Sequence, residues 1–271
     1  MNVIFWCLLS ALSLFAFHVA YYRLKGAELL QKPEIFPLAG KGFIDNKEAT
    51  AESQASVEKK WFEVDGGKIE SWLLADEQKR STLIFAHGNT GYIDNNLEFA
   101  RTIQSLGYHV LLVEYPGYGR SIGKPSEATI TEGFCKAFDW LKSRSDIDKI
   151  AAYGNSLGSN SVARLAKKRP LDLLILKSGF ATFARLIAKK ALIPQSLVID
   201  RFNTIGHIGS FKKPLLVLHG KADDVAAFEN AIEINIVAPN SELVSFEGGH
   251  DSPNESETLK QLELFFNKHS F

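Results

Sequence analysis

Cysteine is nearly absent from this chain. Only Cys7 and Cys135 occur in 271 residues, the first inside an apolar run and the second in a helical pattern, so there is no disulfide framework and no cysteine-based metal spacing. Both read as small hydrophobes. Net charge is absent as well, because 31 basic and 31 acidic side chains cancel. Without a global positive field there is no electrostatic route to a polyanion, and no nucleic-acid partner is expected. Repeats and low-complexity tracts are also missing. Charge is lacking locally in one place: Val3 to Tyr22 contains no Asp, Glu, Lys or Arg. A run of about twenty apolar residues is long enough to cross a bilayer as a helix. No Lys or Arg precedes the run, and His18 two positions before Ala20 spoils a small-x-small cleavage site, so it reads as an uncleaved anchor rather than a removed signal. Trp6 and Tyr21-Tyr22 suit the two interfaces. Arg23, Lys25 and Lys32 follow the run, which by positive-inside logic favours the cytoplasmic side for what comes after.

What is present is one domain's worth of hydrophobic sequence, since 45% apolar side chains at this length can bury a single large core. Residues 1–25 are taken as the membrane anchor, 26–60 as a linker and 61–271 as the folded domain. The linker loses all periodicity; Pro33, Pro37, Gly40 and Gly42 lead into a polar run, read as a tether or loose wrap, in which Glu48 to Glu58 has marginal helical character. Alternation resumes at Trp61, on both sides of Asp65-Gly66-Gly67, the signature of a hairpin. Further strands are expected at 81–86, 109–114, 150–155, 171–177, 214–220 and 244–246, with helices at 95–106, 129–144 and 159–168 between them. Near-continuous apolar strands alternating with helices define an α/β fold with a mostly parallel sheet and helices on both faces. Residues 181–213 break the alternation and read as a small helical cap, against the alternative of an ordinary surface helix.

The chemistry is concentrated at strand ends. Gly154-Asn-Ser-Leu-Gly158 joins a strand to a helix, the arrangement of a nucleophile elbow, in which Ser156 sits on a strained turn and bulky neighbours two residues away would collide. A serine hydroxyl needs a base to take its proton and a carboxylate to orient that base. Candidate bases are His250, delivered by Gly248-Gly249 after the last strand, with His87 and His219 as competitors. Candidate acids are Asp223 and Asp224, just beyond the 214–220 strand, while Asp251 reads as a loop cap. Serine, acid and histidine fall in that order, each beyond the carboxyl end of a strand, where open parallel sheets collect functional groups. The Gly117-x-Gly119 loop is not read as a dinucleotide site, because its third glycine is Gly123 and Pro125 intervenes.

Five motifs together, His87-Gly-Asn-Thr-Gly91, Glu114-Tyr-Pro-Gly-Tyr-Gly-Arg-Ser121, Gly154-Asn-Ser-Leu-Gly158, Leu218-His-Gly-Lys-Ala-Asp-Asp-Val225 and Gly248-Gly-His250, resemble the α/β-hydrolase family, in particular its single-span, membrane-anchored branch. The resemblance implies an eight-stranded sheet and a Ser-His-Asp hydrolase acting on an ester or related acyl bond, with no cofactor and no metal. Within it Ser156 is the nucleophile, His250 the base and Asp223, by its spacing from His219-Gly220, the orienting acid. The oxyanion donors would be the backbone amides of Leu157 and Asn89. The pattern departs in two places: Ala226-Ala227 stands where proline is usual, and Lys177-Ser-Gly-Phe180 where an acidic residue and a proline are common. The expected substrate is a small-molecule acyl ester. Alternatives are a thioesterase or lipase-like enzyme on membrane acyl chains and a non-catalytic binding protein that keeps the fold.

Overall fold

Successive residues of the central strands face opposite ways, and both sets are apolar. In the computed structural model, which describes residues 2–21, 32–43, 50, 57–76, 80–191 and 194–271, strands β1 (Glu58–Val64), β2 (Gly67–Leu74), β3 (Ser81–Ala86), β4 (His109–Val113), β5 (Lys149–Asn155), β6 (Leu173–Lys177), β7 (Leu215–Gly220) and β8 (Ser241–Phe246) form one sheet. Their order is β1-β2-β4-β3-β5-β6-β7-β8. The β1–β2 and β2–β4 pairs are antiparallel and all others parallel. Ile84, Ala86, Leu111 and Val113 enter one core, beneath helices α4 (Glu127–Lys142) and α5 (Leu157–Lys168), while Leu83, Phe85, Val110 and Leu112 enter a second, against α3 (Leu97–Gln104) and α9 (Glu255–Lys268). A strand buried on both faces has no polar positions to alternate with, which is why these segments read as unbroken apolar runs.

Element ends follow local chemistry. The β1–β2 turn is the two-residue Asp65-Gly66, with Gly66 at φ +66° and Val64 paired with Gly67. β1 begins at Glu58, three residues before the alternation becomes visible at Trp61. Helix α4 starts at a capping box in which the Thr129 amide donates to Ser126 Oγ and the Ser126 amide to Thr129 Oγ1, both at 3.0 Å. That cap moves the helix two residues earlier than its periodicity suggested. α3 is entered through a 3₁₀ turn at Asp94–Asn96.

The segment between β6 and β7 contains α6 (Phe183–Ala191), a 3₁₀ turn (Gln195–Leu197) and α7 (Ile205–Ile208). It is docked on the helix that follows Ser156: buried Asn160 of α5 donates through Nδ2 to the carbonyls of Phe180 at 3.0 Å and Phe202 at 2.7 Å. The chain then leaves β7 for α8 (Glu229–Val237) and β8.

At the other end of the chain, α1 (Asn2–Tyr21) is a helix whose window Ile4–Tyr21 is wholly unburied, with mean hydropathy 1.8. Twenty residues span about 30 Å, the thickness of a bilayer's hydrocarbon core. Tyr22, Arg23, Lys25 and the expected helical tract between Glu48 and Glu58 lie outside the described residues, apart from Thr50, Val57 and Glu58. The described part of the expected linker packs on the domain surface. A short helix α2 (Lys32–Ile35) buries Ile35, and the next residue, Phe36, is buried and packs edge-on to Phe202. The Gly40 amide donates to Gly117 O at 2.8 Å, the Tyr92 hydroxyl to Gly42 O at 2.7 Å, and the Phe43 ring lies 5.1 Å from that of Tyr92. Residues 32–43 thus form a strap across the domain. Its burial comes from isolated side chains on irregular backbone, which leave no periodic trace in sequence.

Truncating a buried phenylalanine in a packed core costs about 3–5 kcal/mol, against less than about 0.5 kcal/mol for a residue on a free tether. Phe36→Ala is therefore expected to lower the unfolding free energy by about 3 kcal/mol, measured by denaturant titration of the full chain.

Candidate active site

The turn at Ser156 has no room for side chains on either flank. β5 ends at Asn155 and α5 begins at Leu157, leaving Ser156 alone to reverse the chain at φ +52° and ψ −117°. A non-glycine residue in that region is strained by about 1–3 kcal/mol and persists only where its surroundings hold it. Here the Ser156 amide donates to Lys177 O at 2.8 Å, and Ser159 Oγ donates to Gly154 O at 2.7 Å and Lys177 O at 2.9 Å. A methyl group on Gly154 would lie 2.3 Å from Gly158 O, and one on Gly158 would lie 2.2 Å from Ala86 O. The two glycines are therefore required by the backbone crossings behind the serine.

A second close approach assembles the other two groups. A side chain on Gly220 would meet Gly249 O at 2.3 Å, and Gly248 adopts φ +139°, so the loops after β7 and β8 nest against each other. Asp223 and His250 come from these loops. His250 Nδ1 lies 2.8 Å from Asp223 Oδ2, and its Nε2 lies 3.0 Å from Ser156 Oγ. The nitrogen facing a carboxylate carries the proton, which leaves Nε2 with a lone pair aimed at the serine hydroxyl. The three residues expected from sequence are brought together in the expected order.

Asp223 is buried and fully engaged. Its Oδ1 accepts from the amides of Val225 at 2.9 Å and Ala226 at 2.7 Å, and its Oδ2 lies 3.2 Å from His219 Nε2 as well as next to His250. Burial alone would raise its pKa; hydrogen bonds from His219, His250 and the Ala226 amide outweigh it and hold the carboxyl far below the usual range. Asp224 is exposed. Ala226, in the Ala226-Ala227 pair that stands where proline is usual, supplies an N–H that a proline at that position would lack. The second departure from the family pattern also has a place: Ser178 Oγ donates to His250 O at 2.8 Å, and Lys177 Nζ lies 3.4 Å from Asp251 O, so both brace the histidine loop. Burial lowers the Lys177 pKa, against the opposing charges of Asp251 and Glu255.

The competing histidines have other partners. His87 is buried with Nδ1 2.7 Å from Gly88 O and Nε2 2.7 Å from Glu114 Oε1, so neither nitrogen faces Ser156. Glu114 also accepts from the amides of Tyr115 at 2.8 Å and Ile93 at 3.0 Å. The Tyr118 hydroxyl donates to Asn89 O at 3.0 Å and the Tyr115 hydroxyl to His87 O. Burial, above all, pushes both phenols' pKa well up, keeping them protonated donors. This network anchors the loop 87–91 beside the elbow, where a methyl on Gly88 would sit 3.6 Å from Ser156 Cβ. Gly117 and Gly119, at φ +75° and +51°, serve the same packing: a side chain on Gly117 would meet Gly123 O at 2.6 Å.

A cavity of about 280 Å³ opens in front of Ser156 and His250. Phe180, Phe183, Leu186, Ile187 and Val225 form an apolar wall, and Gly88, Asn89, Thr90 and Asn155 a polar one, with Glu34 of the strap and Asp251 completing the lining. Among the described residues no group of three or more His, Cys, Asp or Glu side chains is placed to hold a metal. Sequence reasoning did not single out Glu114, Tyr115 or Tyr118 as scaffold, Ser178 as a brace, or Glu34 as lining. Ser178, at φ +49°, has a backbone conformation that no residue pattern announces.

A model of the α/β hydrolase fold matches residues 81–175, and the chain belongs to the α/β-hydrolase family. Its relatives include an uncharacterized protein of Mycobacterium tuberculosis, 32% identical over 197 residues and covering 70% of either chain. The lysophosphatidylserine lipase ABHD12 of Mus musculus is 32% identical over 213 residues, 69% of this chain and 53% of the relative. The chain thus spans about half the length of that lipase. Among solved structures, Est1E from Butyrivibrio proteoclasticus with ferulic acid bound superposes with a TM-score of 0.66 at 20% identity over 78% of this chain and 98% of that one. The Pyrococcus furiosus esterase Pf2001 does so with a TM-score of 0.63 at 21% identity over 85% and 96%.

Removing the Glu114 side chain would leave a buried histidine nitrogen and two amides unpaired beside the elbow. Glu114→Ala is expected to destabilise the fold by roughly 3–5 kcal/mol, read from the urea midpoint.

Proposed function

We propose that this chain is a membrane-anchored serine hydrolase that cleaves carboxylic esters of acyl chains through an acyl-enzyme. The observation that carries the reading is the continuous array from Ser156 Oγ through His250 to Asp223, at 3.0 Å and 2.8 Å. The enzyme class, a hydrolase of ester bonds, is the one its named relatives carry. In the proposed reaction His250 Nε2 takes the Ser156 proton as Oγ attacks the ester carbonyl. Asp223 holds the imidazole in the tautomer with Nδ1 protonated and stabilises the imidazolium. The imidazolium then protonates the departing alcohol, and a water activated by the same nitrogen releases the acid and frees Ser156. The Leu157 and Asn89 amides are the proposed oxyanion donors; each such donor contributes about 2.7–4 kcal/mol to the transition state. Leu157 is the first residue of α5 and Asn89 lines the cavity beside Ser156, which supports their assignment.

The apolar wall from the cap suits an acyl chain, and the polar wall suits the alcohol side. With α1 long and apolar enough to enter a bilayer, the proposed substrates are lipid-like esters of the kind named for ABHD12, met at a membrane surface. The anchor is taken as residues 1–25 and the hydrolase domain as 61–271, joined by the segment that includes the strap. Arg23, Lys25 and Lys32 support the cytoplasmic face for the domain. A role limited to partner binding would give no reason for a complete and fully bonded Ser-His-Asp array.

Ser156→Ala is expected to reduce hydrolysis of a short acyl ester to background with an unchanged circular dichroism spectrum; full turnover in that variant would sink the assignment. Replacing the equivalent aspartate in a serine protease lowers kcat about 10⁴-fold. Asp223→Asn should therefore lose about 10³- to 10⁴-fold, and Asp224→Asn less than about tenfold. The opposite ranking would transfer the role to Asp224.

A further inference from the structure

We propose that His219 is a second positioning histidine of the active site, acting on the same Asp223 carboxylate oxygen as His250. The proposal rests on the Ser156–His250–Asp223 reading above. His219, at the end of β7, is completely buried. Its Nε2 lies 2.6 Å from Ala226 O and 3.2 Å from Asp223 Oδ2, the oxygen that also receives His250 Nδ1 at 2.8 Å. A carbonyl and a carboxylate both accept, so Nε2 carries the proton and is shared between them. Nδ1 is then a bare acceptor, and it has no hydrogen-bond partner among the described residues. Leaving a buried polar atom unpaired is unfavourable, and an apolar side chain would fill the space without that penalty. What a histidine adds here is one directed N–H on Oδ2.

That bond completes the hold on the carboxylate. The amides of Val225 and Ala226 fix Oδ1, and the Ala226 carbonyl in turn fixes the His219 ring, so side chain and turn form a closed clamp on Asp223. Without the His219 bond, Oδ2 is held by His250 alone, and the carboxylate is freer to turn about the Oδ1 bonds. The titratable groups acting on Asp223 are His219 from β7 and His250 from the loop after β8; the turn into α8 contributes the Ala226 amide, and Phe228 presents its ring edge-on to His219. Removing the His219 donor leaves more negative charge on Oδ2 for His250 to share. The protonated base is then favoured, and the acidic limb of the pH–rate profile moves upward.

The test uses the full chain and a short acyl ester, with thermal melts recorded alongside. His219→Leu should lower kcat about tenfold with KM within about twofold, and should raise the acidic limb of kcat/KM by about half to one pH unit, the equivalent of one hydrogen bond. His219→Gln, whose Nε2 reaches as far as the imidazole Nε2, should restore the limb and most of kcat. His219→Asn, whose amide stops short, should not, and this comparison serves if the leucine variant fails to fold. Wild-type kcat and pH profile in His219→Leu, or Gln and Asn variants equally impaired at equal stability, would overturn the role of His219 alone. Absence of Ser156-dependent turnover in the unmutated chain would overturn it together with the reading it rests on.

Discussion

One backbone crossing organises the molecule. Between β5 and α5 the chain reverses within a single residue, and it does so with the carbonyls of Ala86 and His87 pressed against Gly158 and the carbonyl of Gly158 against Gly154. Nothing larger than hydrogen fits at either glycine. The crossing puts Ser156 at the tip of the turn, where it lines the cavity, and also forces the loop after β3 to run alongside it. The same contact therefore fixes both the serine and the Gly88-Asn89 segment that borders it. The strain at φ +52° is held by bonds from neighbouring strands, chiefly to the Lys177 carbonyl.

The second constraint is electrostatic. Asp223 is taken out of water at the end of β7, where an unpaired carboxylate would be prohibitively unstable. Two amides and two histidines compensate, and their hydrogen bonds outweigh the burial that would otherwise neutralise the group. An anion held this firmly can keep an imidazole oriented without giving up its own charge. The glycines Gly220 and Gly248-Gly249 matter for the same reason as those at the elbow: they let two strand-end loops nest closely enough for the pairing to form.

Around this rigid centre the cavity is assembled from segments far apart in the chain. The loop after β3 and the helix α6 between β6 and β7 supply most of the lining, and the strap adds Glu34. The strap joins two properties of the chain. It follows the apolar helix α1 in the chain, and by way of Tyr92 and Phe43 it packs on the tyrosine cluster that holds the loop beside Ser156. A residue of the strap, Glu34, thus also lines the cavity in front of Ser156.

The amino-acid sequence by itself determined the fold family, the succession of strands, the helices between β3 and β6, the apolar N-terminal helix and the residues of the candidate array. These features are local: strands buried on both faces must be continuously apolar, a tight strand-to-helix turn must be flanked by glycine, and a membrane-length helix must lack charge. Asp223 was separated from its neighbour Asp224 only by the spacing of a family motif, and tertiary structure supplied the physical reason, since one is buried against two histidines and the other is exposed. The same holds for Phe36, read as part of a linker but buried against Phe202, and for Ser178, Glu114 and His219, whose partners lie 27 to 72 residues away or across a folded turn. Hydrogen bonds from irregular backbone and isolated side chains carry no period. Only the folded arrangement of the strand ends decided which of these polar groups face the site.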